Sequence, residues 1–254
     1  MKVLANKVAI ITGASSGIGH AAAKLFAAEG ARLVLVARRQ AELEALASEI
    51  GAHGGECAIL AGDVRHEETA LDAVTLAQRA FGGLDIAFNN AGSLGEMGEV
   101  TEISPDGWRD AIEVNLTSAF FAARHQIPAM LARGRGSLIY TSTFVGHTAG
   151  FPGMSAYAAS KAGVIGLTRN LAAEYGRKGI RVNALLPGAV DTPMGRSVAH
   201  SEEIRSFVAN LNAMKRIAAP EELARAALFL ASDASSFMTG EAMLVDGGVS
   251  INRT

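Results

Sequence analysis

The sequence predicts an α/β fold, a doubly wound sheet of seven mainly parallel strands with helices on both faces. Short aliphatic runs alternate with longer, alanine-rich runs of helical period along the 254 residues. The short runs are mostly apolar at successive positions, which is typical of strands buried on both faces. Strands separated by helices pair in parallel, because each helix returns the chain to the same edge of the sheet.

Aliphatic and β-branched residues dominate the runs with strand character, and glycine or polar residues bound them. The predicted strands are Val8–Thr12, Arg32–Val36, Glu56–Leu60, Leu84–Asn89, Ser137–Thr141, Arg181–Leu186 and Ala242–Val245. Longer runs of helical period separate them, and glycine stops several of these runs, as at Gly30 and Gly82. The predicted helices are Gly17–Glu29, Gln40–Ile50, Glu67–Phe81, Gly107–Leu131, Ala156–Arg177 and Glu221–Ser232.

No repeat, low-complexity tract or polar linker divides the sequence, which predicts one domain over residues 1–254. A long stretch, residues 188–219, follows the sixth predicted strand and contains one helix-compatible piece, Glu202–Met214. A stretch of this length in a compact domain is often functional. We call residues 188–219 the lid.

Composition narrows the functional class. A net charge of -2 gives no general attraction to nucleic acid or to anionic membranes. A single cysteine, Cys57, excludes an internal disulfide and multi-cysteine zinc sites, and the six histidines form no HExxH pair, so no metal site is expected. The N-terminal apolar stretch is too short for a signal peptide, and no run reaches the ~18 apolar residues of a membrane span. A cytoplasmic protein is expected.

The turn Thr12-Gly13-Ala14-Ser15-Ser16-Gly17-Ile18-Gly19 follows the first strand and opens the first helix. Gly13 permits a tight turn, while Gly17 and Gly19 keep side chains away from backbone N–H groups that a pyrophosphate would approach. The spacing is GxxxGxG, and three glycines alone would also suit an ordinary loop. Between a strand and a helix of a βαβ unit, they predict dinucleotide binding.

The end of the second strand indicates which dinucleotide binds. NAD sites usually carry an acidic residue there, which binds the ribose 2′-hydroxyl. This sequence has Ala37-Arg38-Arg39 instead. Two guanidinium groups match a 2′-phosphate, which favours NADP(H) over NAD(H). The alternative is that both arginines only solvate the start of the next helix.

Tyr157 and Lys161 lie four residues apart at the start of a predicted helix and therefore face the same side. A free tyrosine has a pKa of about 10. A nearby lysine cation would stabilise the phenolate and lower that pKa, which suits a general acid–base. The pair alone would also suit an ordinary helix surface.

Further motifs accompany these two in a fixed order. They are Asp63-Val64, Asn89-Asn90-Ala91-Gly92, Asn115, the strand Gly136–Thr143, YAASKAG at 157–163, Pro187-Gly188 with Thr192, and Val245-Asp246-Gly247-Gly248. With TGASSGIG at 12–19, they resemble the short-chain dehydrogenase/reductase family along nearly the whole chain. The resemblance implies a Rossmann fold and interconversion of alcohols and carbonyls with a nicotinamide cofactor.

By this resemblance, Tyr157 would protonate the carbonyl oxygen, Lys161 would lower its pKa and hold the nicotinamide ribose, and Asn115 would hold a water in a proton relay. Asparagine is a poor helix former, so Asn115 also predicts a distorted helix. The residues implied to bind the cofactor are Gly13, Ser15, Ser16, Gly17, Ile18, Gly19, Arg38, Arg39, Asp63, Val64, Asn89, Ala91, Gly92, Asn115, Tyr157, Lys161, Pro187, Gly188, Val190 and Thr192.

One departure from the family pattern concerns the hydroxyl that orients the substrate oxygen. The family usually places a serine three residues before a glycine at the end of the fifth strand. Here Thr143 occupies that position before Gly146, and Ser142 lies one residue earlier. Threonine makes the same hydrogen bonds but is stiffer at χ1. Thr143 is favoured, and Ser142 stays the alternative.

The expected function is hydride transfer between NADP(H) and a secondary alcohol or ketone, a small-molecule substrate. One alternative is a 3-oxoacyl-carrier-protein reductase that docks its carrier on lid cations, and another is a non-catalytic NADP(H) sensor. The lid cations are Arg196, Arg205, Lys215 and Arg216. Small residues on the two long predicted helices suit the close helix packing of a homotetramer, although they would equally suit packing against the sheet. These are Ala111, Ser118, Ala119, Ala122, Ala123, Ala162, Gly163 and Gly166.

Overall fold

The framework of the protein is one sheet, seen in a computed structural model that describes residues 2–253. Its strands are β1 Val8–Thr12, β2 Arg32–Ala37, β3 Cys57–Ala61, β4 Ile86–Asn89, β5 Gly136–Thr141, β6 Ile180–Pro187 and β7 Ala242–Val245. They are ordered β3-β2-β1-β4-β5-β6-β7, and every neighbouring pair is parallel. The predicted doubly wound sheet is confirmed, and it is wholly rather than mainly parallel across the described residues.

Helices cover both faces of this sheet. They are α1 Gly17–Ala28, α2 Gln40–Ala52, α3 Glu67–Phe81, α4 Pro105–Ile112, α5 Ser118–Ala132, α6 Ser155–Tyr175, α7 Pro193–Val198, α8 Glu202–Leu211 and α9 Pro220–Ala231. Every residue of β1 is buried. Ala9 and Ile11 pack in the core formed with α1, α2 and α9, whereas Val8 and Ile10 pack in the core formed with α3, α5 and α6. Strand β1 is almost wholly apolar because both of its faces are covered.

The predicted helix Gly107–Leu131 was wrong as a continuous element. Helix α4 begins at Pro105, where Ser104 caps it by accepting a hydrogen bond from Gly107 N at 2.9 Å. A π-helical segment, Glu113–Thr117, then separates α4 from α5 and contains Asn115. The distortion expected at Asn115 is therefore present, but the sequence did not show that it divides the helix.

The lid contains two helices rather than one. Helix α8 ends at Leu211, three residues before the predicted end, and α7 was not predicted. Thr192 caps α7 by accepting a hydrogen bond from Gly195 N at 3.0 Å. Helix α7 has only six residues and contains Pro193 and Gly195. It is too short to show a helical period, so its sequence cannot be distinguished from that of a loop.

Most other boundaries agree with the sequence within two residues, including β1, β7 and α3, which match at both ends. Strand β5 ends at Thr141, so Ser142 and Thr143 lie beyond the sheet, although the family motif placed the strand end at Thr143. No described helix combines the length and apolar character that crossing a bilayer requires.

Candidate active site

A cleft of about 790 Å³ opens at the carboxyl ends of the strands. The glycine turn after β1, the segments that follow β2 to β5, the start of α6, the lid and Val249 form its walls. The strand order reverses between β1 and β4, and their carboxyl ends border this cleft. Ligands of doubly wound sheets bind at such a reversal point.

The glycine turn forms a cradle free of side chains. Gly13 and Gly17 have positive φ angles of 69° and 57°, and a Cβ on Gly19 would lie 2.4 Å from the Gly13 carbonyl oxygen. Ser16 precedes α1 without capping it, so the first-turn N–H groups of the helix remain available. Such a turn fits an anionic pyrophosphate. The predicted residues that line the cleft here are Gly13, Ser15, Ser16, Gly17 and Ile18, whereas Gly19 lies outside the lining.

Arg38 and Arg39 follow β2 and line the same end of the cleft. Arg39 Nη2 donates a hydrogen bond to Ser15 Oγ at 2.9 Å, which ties the end of β2 to the glycine turn. Arg39 also pairs with Glu42 across 3.3 Å, and both side chains are about half exposed. The arrangement leaves two solvated cations beside the turn.

Asp63 and Val64 line the next part of the wall, together with Arg65, which the sequence analysis missed. The Arg65 guanidinium donates to Asp63 Oδ2 at 2.7 Å and to Asp110 Oδ1 at 3.0 Å. The hydrogen bonds from Arg65 hold the pKa of Asp63 below its usual value. The only sequence signal for Arg65 is its place directly after Asp63-Val64.

Asn89 does not line the cleft, although the family resemblance implies that it binds the cofactor. Its side-chain amide exchanges two hydrogen bonds with the buried amide of Gln126, at 2.8 and 3.0 Å. The next residue, Asn90, lines the cleft instead, beside Ala91 and Gly92. Asn89 belongs to the strand and points to the α5 side, whereas Asn90 lies just past the strand end.

The hydroxyls of Ser142 and Thr143 have different partners. The Thr143 side chain interacts with Tyr157 and opposes the rise of the tyrosine pKa, and Thr143 Oγ1 also accepts a hydrogen bond from Val145 N at 3.3 Å. Ser142 Oγ donates instead to the Lys161 carbonyl oxygen at 2.8 Å, and its side chain is buried. The geometry therefore brings Thr143, rather than Ser142, to the tyrosine hydroxyl.

The pKa values of Lys161 and Tyr157 are both shifted by burial. Lys161 is buried, and its Nζ donates to the Thr141 carbonyl oxygen at 2.8 Å. Burial lowers the pKa of Lys161 to about 8. The pKa of Tyr157 is raised by burial, with the Thr143 hydrogen bond opposing that shift. Lys161 is not among the groups that shift the Tyr157 pKa, and the lowering of that pKa by Lys161 stays a prediction.

Asn115 connects the loop after β4 to α6. Its Nδ2 donates to the Ser93 carbonyl oxygen at 2.9 Å and to Ser160 Oγ at 3.1 Å, and its Oδ1 accepts from Ser93 N at 3.0 Å. Asn115 does not line the main cleft. It lines an adjoining cavity of about 30 Å³, which Lys161 and Thr141 also border. A cavity of this size has room for one water, and Asn115, Lys161 and Thr141 offer it polar partners.

Four residues predicted to bind the cofactor lie at the end of β6 and the start of the lid. Pro187, Gly188, Val190 and Thr192 all line the cleft. Gly188 allows close packing against the C-terminal segment, because a Cβ there would lie 2.7 Å from the Asp246 backbone. The start of the lid is thus fixed against the end of the chain.

The end of the cleft beyond Tyr157 is mainly apolar. Phe144 and Phe151 form an edge-to-face pair with ring centroids 5.5 Å apart, and Met154 and Val249 complete this wall. Val249 comes from the C-terminal segment and was not predicted to line a site. That segment is held by a hydrogen bond of 2.5 Å between Ser250 Oγ and the Thr148 hydroxyl.

The lid cations considered for carrier docking have partners within the chain. Arg196 and Arg205 both pair with Asp191, Arg216 pairs with Glu222, and Lys215 Nζ donates to the Asn210 carbonyl oxygen. These contacts reduce the positive charge that an acidic carrier would meet.

The parallel sheet, the side-chain-free glycine turn and the Tyr157 site in one cleft define a nucleotide-dependent oxidoreductase. A family described as Enoyl-(Acyl carrier protein) reductase matches residues 13–250. The cyclohexanol dehydrogenase of an Acinetobacter species is 41% identical over 95% of this chain and 94% of its own. The 2,5-dichloro-2,5-cyclohexadiene-1,4-diol dehydrogenase of Sphingobium indicum is 41% identical over 98% of each chain.

Solved structures of dehydrogenases and reductases are similar to this chain as well. A levodione reductase has a TM-score of 0.94 and 34% identity, with 98% of this chain and 100% of that chain covered. A short-chain type dehydrogenase/reductase from Mycobacterium marinum has a TM-score of 0.93 and 33% identity, with 98% and 97% covered. The chain belongs to the short-chain dehydrogenase/reductase family. It is accordingly an enzyme that acts on CH–OH groups with a nicotinamide cofactor.

Proposed function

We propose that the protein transfers a hydride reversibly between NADP(H) and a secondary alcohol or its ketone, with Tyr157 exchanging the proton. One observation carries this proposal: Tyr157 and Thr143 line the same cleft as the glycine turn. A group bound through its pyrophosphate at the turn would extend along the strand ends toward Tyr157.

The nicotinamide group supplies or accepts the hydride when it is bound. During reduction, the hydroxyls of Thr143 and Tyr157 would hold the carbonyl oxygen, and Tyr157 would donate its proton to that oxygen. During oxidation, the tyrosine oxygen would take the hydroxyl proton. Lys161 and Asn115 both border the small adjoining cavity, and a water held there would return the proton.

The preference for NADP(H) is supported by the charges after β2. Arg38 and Arg39 line the cleft, and Ala37 stands where an NAD site usually carries a carboxylate. Arg39 is already oriented toward the glycine turn by its bond to Ser15. A 2′-phosphate placed there would receive charge-assisted hydrogen bonds that a 2′-hydroxyl would not.

The substrate proposal rests on the apolar end of the cleft, formed by Phe144, Phe151, Met154 and Val249. These side chains suit a hydrophobic ring, and two of the relatives are named for cyclic alcohols. The pairing of the lid cations within the chain speaks against a carrier-bound acyl substrate.

The test is turnover of cyclic ketones and secondary alcohols with NADP(H) and NAD(H) in parallel. We expect activity with cyclohexanone and NADPH, and a loss of about 100-fold in kcat/KM for NADPH in the Arg38→Ala/Arg39→Ala variant, with little change for NADH. Arg79→Ala, which removes a cation from α3 outside the cleft, is the matched control. Equal kcat/KM for NADPH and NADH in the wild type would contradict the cofactor proposal.

The two alternatives predict other outcomes. A carrier-protein reductase would prefer a carrier-bound 3-oxoacyl group to the free ketones. A non-catalytic sensor would bind NADPH, as measured by the fluorescence of the nicotinamide, but would turn over no member of a broad carbonyl panel.

A further inference from the structure

The segment that follows β7, residues 246–252, reaches the cleft through one side chain. Val249 is the residue of this segment that belongs to the described cleft lining. Counted from the glycine turn after β1, the sheet order is β4, β5, β6 and then the edge strand β7. Thr143, which interacts with Tyr157, comes just after β5. Val249 therefore lines the cleft on the Tyr157 side of the glycine turn.

Hydrogen bonds place Val249 next to the aromatic wall of the cleft. The hydroxyls of Ser250 and Thr148 are 2.5 Å apart, and Thr148 Oγ1 also donates to the Phe144 carbonyl oxygen at 3.3 Å. Phe144 lines the cleft and comes one position after the residue that interacts with Tyr157. The neighbour of Val249 is thus bonded to the chain segment that begins beside the tyrosine.

The backbone at Val249 is held by a single residue, Asp246. Three successive N–H groups donate to it: Gly248 N to Oδ1 at 2.9 Å, Val249 N to the carbonyl oxygen at 3.2 Å, and Ser250 N to Oδ2 at 3.1 Å. Burial opposes the charge of this carboxyl, but the hydrogen bonds outweigh it and hold the pKa of Asp246 below its usual value. Valine is also stiff at χ1. Val249 therefore presents its branched side chain from a fixed position.

The same segment is bonded to the lid on its other side. Met214 N donates to the Gly247 carbonyl oxygen at 3.1 Å. Asn252 Nδ2 donates to the Leu211 carbonyl oxygen at 3.0 Å, at the end of α8. Val249 consequently lies between the wall that contains Phe144 and the end of the lid, and neither neighbour can move away from it without breaking these bonds.

We propose that Val249 is a specificity-determining residue that limits the size of the ring the enzyme accepts. Its backbone is fixed on three sides, so a bulky substituent would have to displace a stiff side chain that has no room to retreat. A small ring meets no such obstacle. This inference rests on the proposed function and narrows its substrate class to small monocyclic alcohols and ketones.

The test compares cyclohexanone with the tert-butylcyclohexanone that carries its substituent opposite the carbonyl. The two ketones share the reacting group and differ only in bulk. We expect the wild type to prefer cyclohexanone by about 10- to 100-fold in kcat/KM. Val249→Ala should raise the relative kcat/KM for the larger ketone by about 10-fold, and Val249→Phe should lower kcat/KM for cyclohexanone by a similar factor, with the KM for NADPH unchanged.

Val100→Ala is the matched control, because it shortens a valine that is 68% exposed and lies outside the cleft lining. Its preference between the two ketones should stay within about twofold of the wild type. An unchanged preference in Val249→Ala would overturn the proposal. So would full cyclohexanone activity in Val249→Phe, since a larger side chain at a size limit has to obstruct the ring.

A binding measurement separates this inference from the proposed function. NADPH cannot accept a hydride, so calorimetric titration of the NADPH complex with cyclohexanol and with the matching tert-butylcyclohexanol needs no turnover. We expect Val249→Ala to gain affinity of about 10-fold for the larger alcohol alone, and equal affinities in Val249→Ala and the wild type would overturn the role of Val249. If the wild type reduces neither ketone, the proposed function fails, while these titrations still decide whether Val249 limits ring size.

Discussion

Ser142 and Thr143 are adjacent residues after β5, yet their side chains have different interaction partners. Ser142 N still donates to the Leu185 carbonyl oxygen at 2.8 Å, as a strand residue would, and its side chain points to α6. Thr143 lies one step further and points into the cleft, where it contacts Tyr157. Ser142 also lines the cleft, but its hydroxyl is bonded to the Lys161 carbonyl oxygen, so Thr143 is the residue of the two whose side chain interacts with Tyr157.

This difference predicts opposite results for two similar substitutions. Thr143→Ala should lower kcat for ketone reduction by about 100- to 1,000-fold, because the hydroxyl that orients the reacting oxygen is lost. Thr143→Ser should restore most of the rate. Ser142→Ala should leave kcat within about threefold and lower the free energy of unfolding by about 1 kcal/mol, through the bond to Lys161. Steady-state kinetics and urea denaturation measure both, and full activity in Thr143→Ala would move the role to Ser142.

The pKa of Tyr157 predicts how each direction depends on pH. Burial raises that pKa above the usual value, so the phenol stays protonated at neutral pH and can donate its proton. We expect kcat/KM for reduction to be flat from about pH 6 to 8, and kcat/KM for oxidation to rise about tenfold per unit over that interval, because oxidation needs the phenolate.

Removing the Thr143 hydroxyl should shift the oxidation profile to higher pH, since its hydrogen bond opposes the rise in the Tyr157 pKa. Thr143→Ser is the matched control for this shift. An oxidation rate that reaches its plateau below pH 7 would contradict the raised pKa.

At the residue scale, the sequence predicts groups whose chemistry depends on a fixed local spacing. Tyr157 and Lys161 lie one helical turn apart, and Thr143 has a fixed distance from Gly146. It does not predict the direction of the Tyr157 pKa, which depends on burial. Nor does it predict the Asn89–Gln126 pair, whose members lie 37 positions apart and meet only after β4 and α5 pack.

The π-helical segment between α4 and α5 shows how one residue shapes an element. Its wider turn brings Asn115 inward, where the amide bonds to Ser93 and Ser160. The sequence indicates a weak helix at Asn115 but cannot place the extra residue of the π turn. That position is set by contacts with a loop and a helix that are distant in the chain.

Asn115→Ala should therefore destabilise the protein. The substitution leaves the Ser93 N–H and carbonyl without their partners at a site that is 3% exposed. We expect a loss of about 2–4 kcal/mol in the free energy of unfolding. Urea denaturation measures it, and Asn210→Ala on the exposed side of α8 is the matched control. A change below about 0.5 kcal/mol would show that these bonds contribute little.

At the scale of the whole molecule, two groups of the exposed large apolar side chains in the described chain lie on helices and strands away from the lid. One lies between α9 and β7, where Phe229 and Leu244 are each 39% exposed and Phe237 is fully exposed. Strand β7 is also an edge of the sheet. The other is on α4 to α6, where Trp108 and Phe120 are exposed.

The small residues on these helices were predicted to allow either close packing in a homotetramer or packing against the sheet. The structure divides them between these two interpretations. Ala111, Ala119 and Ala123 are buried within the chain, so they pack against its own core. Ala162 and Gly166 are exposed and lie one turn apart on α6. Only this exposed pair, with Phe120, remains to support close packing with a second copy.

Two separate apolar surfaces predict a tetramer with two kinds of interface, because each surface can be covered by its own copy in a symmetric pair. Sedimentation velocity at micromolar concentration should give about four times the 26.3 kDa chain mass. Phe237→Asp should reduce the tetramer to dimers, because a charge at the first surface prevents its burial while the second surface remains. Phe207→Asp replaces a residue that is 62% exposed on the lid, outside both surfaces, and should leave the tetramer intact. A wild-type chain that sediments as a monomer would remove the prediction, and a Phe237→Asp variant that stays tetrameric would place the second interface elsewhere.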